Sequence, residues 1–99
     1  MIAGMSARDL PTLLIRDAEL VATMDDQRRE LRGGSVLLRG PSIEAIWPAG
    51  ERPADVTADE VIDARGHAVL PGLVNTHHHM YQSLTRAVPA AQNAELFGW

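Results

Sequence analysis

The chain has 99 residues, with nine basic and thirteen acidic side chains and a net charge of −4. This length allows one domain of ordinary size and falls far short of the ~250 residues of a complete (β/α)8 barrel. The absence of cysteine excludes disulfides, cysteine-type zinc sites and thiol nucleophiles. A mildly acidic chain without basic clusters, signal peptide or long apolar segment predicts a cytoplasmic protein that binds neither nucleic acid nor membrane.

The first 70 residues have the pattern of a small all-β unit. Short apolar runs recur at roughly ten-residue spacing between turn residues, which is typical of a β-sandwich or barrel. Asp17 and Ala18 predict a hairpin turn between the first two runs, and Gly40-Pro41 predicts a turn between the next two. The charged segment 25–32 is expected to be a solvated loop. The predicted strands cover residues 13–15, 20–23, 35–38, 43–47, 61–62 and 68–70.

The pattern changes at Pro71-Gly72. Residues 73–76 predict a buried parallel strand that runs directly into three consecutive histidines, His77 to His79. Farther on, Asn93 is a suitable N-cap for a helix that begins near residue 94. This helix has barely begun at Trp99, so we expect the protein to continue beyond it.

The histidine run has the spacing of a metal-binding pair. In a strand, residues two apart project to the same side about 6.6 Å from each other. Two imidazoles at this spacing can lean onto one ion with bonds of ~2.0–2.1 Å. His77 and His79 therefore form the candidate pair, and His78 is expected to face the other way. The alternative is a surface run of histidines that makes only hydrogen bonds.

The sequence around this pair resembles the entry into the barrel of the amidohydrolase superfamily. The similarity is strongest to the branch that holds chlorohydrolases, guanine deaminase and S-adenosylhomocysteine deaminase. It implies the N-terminal part of a small β-sandwich domain in residues 1–70, and the first strand and helix of a metal-dependent (β/α)8 barrel in residues 71–99. The barrel is not completed within this chain. The string that carries the resemblance is Asp63-x-x-Gly66-x-x-Val69-x-Pro71-Gly72-Leu73-Val74-Asn75-Thr76-His77-x-His79.

The resemblance also implies roles for individual residues. His77 and His79 match the first two ligands of one divalent ion, zinc with iron as the alternative. The remaining ligands and the proton-transferring Glu are expected beyond residue 99, so no catalytic residue is assigned here. Gln82 is expected to contact the edge of the substrate ring, or else to cap a turn. Trp99 is expected to stack on the substrate, or else to pack in the barrel.

The implied activity is hydrolytic deamination of a small purine-like ring, with 8-oxoguanine converted to urate and ammonia. Residues 77–87 and 90–99 carry this narrower similarity. Related enzymes share much of the same sequence. An aminohydrolase or chlorohydrolase of s-triazines, or another purine deaminase, therefore remains an alternative. The non-enzymatic alternative is an isolated β module with an incidental histidine cluster. The family implies a homo-oligomer, a dimer in its usual form.

A fragment of residues 1–99 is expected to be poorly soluble and to lack deaminase activity. The reason is that the strand at 73–76 would expose apolar surface and an unpaired edge without barrel neighbours. Size-exclusion chromatography, thermal unfolding and an ammonia-release assay check this expectation. A monomeric fragment that unfolds cooperatively would contradict it.

Overall fold

The computed structural model describes residue 4, residues 6–79 and 88–91, and residue 93. This part of the chain is rich in β-structure, with seven strands and short 3-10 helices at Ala7–Asp9 and Pro89–Ala91. None of its helices has the length and apolar character that crossing a membrane requires. The strands are β1 (Thr12–Ala18), β2 (Leu20–Ala22), β3 (Glu30–Leu31), β4 (Gly34–Arg39), β5 (Ser42–Trp47), β6 (Glu60–Asp63) and β7 (Ala68–Val69).

The strands form two sheets, in the orders β5-β4-β1-β6 and β3-β2-β7. The β1/β6 and β2/β7 pairs are parallel, whereas β1/β4, β4/β5 and β2/β3 are antiparallel. A small apolar core forms where the two sheets meet, around Ala18, Val21, Val36 and Ala64. The predicted β-rich character of residues 1–70 is therefore confirmed.

The predicted hairpin at Asp17-Ala18 is wrong. The strands β1 and β2 do not pair with each other, because the chain passes from the first sheet to the second between them. Asp17 takes a left-handed conformation with a φ of 57°, and the β1/β4 register shifts between Ile15 and Ala18. The Ser35 hydroxyl accepts the Asp17 N–H at 3.2 Å. Such a bulge bends a strand so that it can leave one sheet and join another.

The turn predicted at Gly40-Pro41 is confirmed, since β4 and β5 form an antiparallel pair on either side of it. Gly40 has a φ of 52° and donates its N–H to the Pro11 carbonyl at 2.8 Å. A Cβ atom at this position would lie 2.9 Å from the Leu10 Cδ1 atom, so a larger residue would be strained by its φ and would displace the Leu10 side chain.

The predicted strand at residues 73–76 is also wrong for the described part of the chain. Residues 71–75 have no regular structure, and Leu73 and Val74 are 94% and 86% exposed. The ladder of β7 ends at Val69, and Pro71 has no N–H with which to continue it. No described strand pairs with residues 73–76, so their apolar side chains stay unburied.

A reciprocal hydrogen-bonded clamp holds the beginnings of β1 and β6 together. The Asp59 Oδ2 atom accepts the Thr12 backbone N–H at 2.8 Å and the Thr12 hydroxyl at 3.0 Å. The Asp59 N–H donates back to the same hydroxyl at 2.9 Å. These bonds lower the pKa of Asp59, the backbone N–H of Thr12 contributing most. The clamp sets the parallel register in which Leu13 lies opposite Glu60.

Replacing Thr12 with Val should loosen this clamp, since the isosteric side chain loses both hydroxyl bonds and leaves the Asp59 N–H without that acceptor. The local free energy of opening of β1 and β6 should fall by about 1–3 kcal/mol. Amide hydrogen exchange of the full-length protein measures this change. The control is Thr57→Val, at an exposed position in the loop before β6. Equal protection in both variants would contradict a stabilising role for the Thr12 hydroxyl.

Candidate metal centre

The path from the sheets to the histidine run is set by the parallel pairing of β2 and β7. Leu20 lies opposite Ala68, and Val21 lies opposite Val69. The Glu19 N–H donates to the His67 carbonyl at 3.0 Å and extends this pairing by one residue. The histidine run therefore follows an anchored strand after a short irregular segment.

His77 and His79 lie together at the end of this segment. Their Nε2 atoms are 2.8 Å apart, and their rings stack with centroids 4.9 Å apart and planes inclined by 21°. One imidazole donates to the other in this contact, and the tautomers decide which one. The Asn75 Oδ1 atom accepts the His77 backbone N–H at 3.1 Å, just where the chain bends at residues 76 and 77.

The geometry of this pair fits two ligands of one ion. Bonds of ~2.0–2.1 Å at a tetrahedral ion place two nitrogens about 3.3 Å apart, so a small ring rotation converts the observed contact into a ligand pair. Neutral imidazole suits zinc, iron and similar metals. The described residues contain no group of three or more metal-binding side chains. Two imidazoles are fewer than the three or four protein ligands of a zinc site, so a metal at this pair would need further ligands.

Four further residues with side chains capable of site contacts divide into two outside the described part of the chain and two within it. Gln82 and Trp99 lie outside the described residues, so their expected substrate contacts stay predictions. Asp63, the last residue of β6, and His67, in the turn between β6 and β7, are both described. The His67 Nδ1 atom lies 3.0 Å from the Arg65 carbonyl oxygen.

The carboxylate of Asp63 is engaged by arginine. The Arg65 Nε atom lies 3.0 and 2.9 Å from its two oxygens, and the Arg65 N–H donates to Oδ1 at 3.1 Å. These bonds lower the pKa of Asp63, with the Arg65 side chain as the largest cause. Arg16 also pairs with this carboxylate, at 3.6 Å. Asp63 is thus held ionised as a turn-stabilising group.

The loop between β2 and β3 contains a second carboxylate of this kind. Arg29 donates to Asp25 from its side chain at 2.6 Å and from its backbone at 3.1 Å, which lowers the Asp25 pKa to about 2. A general acid or base works best with a pKa near the operating pH. Among the described residues, the carboxyl groups with shifted pKa values are those of Asp25, Asp59 and Asp63. All three pKa values are lowered, away from neutral pH.

The position of Asn75 is a feature that the sequence interpretation missed. It entered there only as one letter of the motif that carries the resemblance. An Asn two residues before the first histidine of the pair is nevertheless a recognisable signal. Its side chain favours a hydrogen bond with the backbone N–H two residues on, which here is that of His77.

The chain is similar to the N-terminal segment of hydrolases of the amidohydrolase superfamily. It is 51% identical over 67 residues to 8-oxoguanine deaminase of Pseudomonas aeruginosa, which covers 68% of this chain. It is 35% identical over 94 residues to isoxanthopterin deaminase from an unknown prokaryotic organism, which covers 90% of this chain. The chain spans only 14% and 18% of the length of these two deaminases. No family model matches the chain.

The structure also matches a solved protein. Its similarity to the atrazine chlorohydrolase of Arthrobacter aurescens, crystallised in complex with zinc, has a TM-score of 0.66 at 38% identity. This match covers 88% of the present chain and 18% of the chlorohydrolase. The likeness therefore extends over most of the described sheets.

Proposed function

We propose that the whole protein is a metal-dependent aminohydrolase, because this chain is homologous to the N-terminal segment of hydrolases of the amidohydrolase superfamily. The observation that carries the proposal is the 2.8 Å approach of the His77 and His79 Nε2 atoms. In this proposal residues 1–70 form the N-terminal part of a β-sandwich, and residues 71–99 begin the (β/α)8 barrel. The proposed assembly is a homo-oligomer, with a dimer implied by the family resemblance.

His77 and His79 would hold the ion through their Nε2 atoms, as neutral imidazoles. Zinc is the proposed metal, supported by the zinc complex of the atrazine chlorohydrolase, and iron is the alternative. When bound, a divalent ion supplies an activated water close to neutral pH. In this proposal the other ligands and the carboxylate that moves protons come from residues beyond 99.

The proposed reaction replaces an exocyclic amine by a carbonyl on an electron-poor ring carbon. Water adds to that carbon, the carbon–nitrogen bond breaks, and the amine leaves as ammonia after it gains a proton from the attacking water. For 8-oxoguanine the products are urate and ammonia, and the atoms balance with one water consumed. The two histidines would hold the metal ion that supplies the activated water.

The proposed substrate is 8-oxoguanine, supported by the 51% identity to the deaminase of that base. Gln82 would contact the edge of the purine, since an amide offers both hydrogen-bond donors and an acceptor. Trp99 would stack on the ring face. A purine-like small molecule is therefore the partner of the site.

A second candidate is hydrolysis of an s-triazine, by loss of an amine or of chloride. The 38% identity to the atrazine chlorohydrolase over 88% of this chain favours it. Another purine or pterin is a further possibility within the deaminase class, given the isoxanthopterin deaminase similarity. The isolated β module has less support, because these relatives are enzymes.

The substrate assignment is tested by ammonia release from the metal-replete full-length protein. The assay compares 8-oxoguanine with guanine, isocytosine, isoxanthopterin and hydroxy-s-triazines at equal concentrations, and chloride release from a chlorinated triazine is followed in parallel. We expect the highest kcat/KM for 8-oxoguanine. A higher kcat/KM for another ring would change the substrate assignment but leave the proposed mechanism unchanged. No release of ammonia or chloride from any ring would refute the hydrolase proposal.

Substituting His77 or His79 with Ala should remove bound metal and activity together. Each variant loses one of the two imidazole nitrogens that would bind the ion, so kcat/KM should fall by at least the roughly 10- to 100-fold that follows loss of a hydrogen-bond partner of a metal ligand. Metal content by atomic emission and ammonia release measure the two effects. The matched control is His67→Ala, which removes an exposed imidazole from the β6/β7 turn. Normal metal content in His77→Ala would contradict the ligand assignment.

Substituting Gln82 with Ala should weaken substrate recognition without loss of metal. The loss of neutral hydrogen bonds to the ring edge should raise KM for 8-oxoguanine roughly tenfold. Steady-state kinetics and metal analysis of the same preparation check both parts. An unchanged KM would assign Gln82 to a turn-capping role.

A further inference from the structure

We propose that Asn75 is a positioning residue for the metal-binding histidines, a proposal that rests on the ligand role proposed above for His77 and His79. Its side-chain oxygen accepts the His77 backbone N–H at 3.1 Å. This contact forms an Asx turn, in which an Asn side chain bonds to the backbone two residues on. The turn lies immediately before the first histidine of the pair.

The oxygen of the Asn75 amide is assigned by its partner. A backbone N–H is always a donor, so the atom that faces it at hydrogen-bond distance is an acceptor. A substitution that keeps an acceptor oxygen at this position can therefore keep the turn, and one that removes the acceptor cannot.

The turn changes where the two imidazoles lie. In an extended strand, residues two apart project their side chains in rows about 6.6 Å apart. Here the chain bends at residues 76 and 77, and the ring centroids of His77 and His79 approach to 4.9 Å. The Nε2 atoms thereby come to 2.8 Å, close to the separation that one ion needs. The bend thus pre-forms the pair.

Packing offers little else to hold this segment. Leu73 and Val74 are almost fully exposed, and all described residues from 71 to 79 lie at the surface. Residues 73–76 take part in no described strand pairing. A local side-chain bond therefore has a larger share in fixing the backbone here than it would have inside a sheet. Its loss would leave the ion to order the segment upon binding.

The experiment uses the full-length protein with the variants Asn75→Ala and Asn75→Leu, which lack the acceptor, and Asn75→Ser and Asn75→Asp, which retain one. Zinc affinity is measured by competition with a chelator, and the visible spectrum of the cobalt(II)-substituted protein reports ligand geometry. The matched control is Thr76→Ala, at the adjacent exposed position. His77→Ala is included to test the ligand role separately.

We expect Asn75→Ala and Asn75→Leu to weaken zinc binding by about 10- to 100-fold and to alter the cobalt spectrum. Asn75→Ser should recover part of the affinity and the wild-type spectrum, since its neutral hydroxyl makes the same turn more weakly. Thr76→Ala should match the wild type. Because Asn75→Ser and Asn75→Ala are both uncharged, their comparison tests the acceptor without the carboxylate that Asn75→Asp adds.

Wild-type affinity and spectrum in Asn75→Ala or Asn75→Leu, with metal lost in His77→Ala, would overturn the role of Asn75 and leave the ligand proposal standing. Unchanged metal binding in His77→Ala would overturn both. If Asn75→Ala does not fold, Asn75→Leu against the isosteric Asn75→Asp provides the same test. Equal affinities and spectra in that pair would again refute the positioning role.

Discussion

The parallel pairing of strands that are distant in sequence is the constraint on which the rest of this structure depends. β6 pairs with β1, and β7 pairs with β2, so the two strands before the histidine run are both fixed by the first two strands. The Thr12–Asp59 clamp sets the register at one end of this arrangement. The bulge at Asp17 lets one continuous stretch of chain serve both sheets. Loss of either feature would shift the point from which the chain reaches His77.

The candidate metal pair is built in a different way from the sheets that precede it. Its geometry comes from a local bend and a side-chain hydrogen bond, and not from a continued strand ladder. This explains how two exposed histidines can meet without a buried core around them. The apolar side chains left exposed nearby, at Leu70, Leu73 and Val74, are suited to cover by further protein. The chain spans less than a fifth of the relatives that it matches.

The sequence predicted the superfamily better than the strand partners. The ordered motif from Asp63 to His79 identified the superfamily correctly. The contact between His77 and His79 was expected from strand alternation, but it arises from a local bend. The turn at Gly40-Pro41 was also foreseen, because its residues act locally. The hairpin at Asp17 was not, since an Asp in the left-handed region serves a bulge as well as a turn, and apolar alternation does not reveal which sheet a strand will join. Residues 73–76 have the composition of a buried strand, but pairing depends on neighbours that composition cannot supply.

The central claim is that His77 and His79 bind one catalytic metal ion. The most direct test is a crystal structure of the full-length, metal-replete protein with anomalous diffraction data collected at the absorption edge of the bound metal. The account predicts an anomalous peak about 2.0–2.1 Å from both Nε2 atoms, with further ligands from residues beyond 99. A peak at another site, with the two imidazoles still hydrogen-bonded to each other, would contradict it.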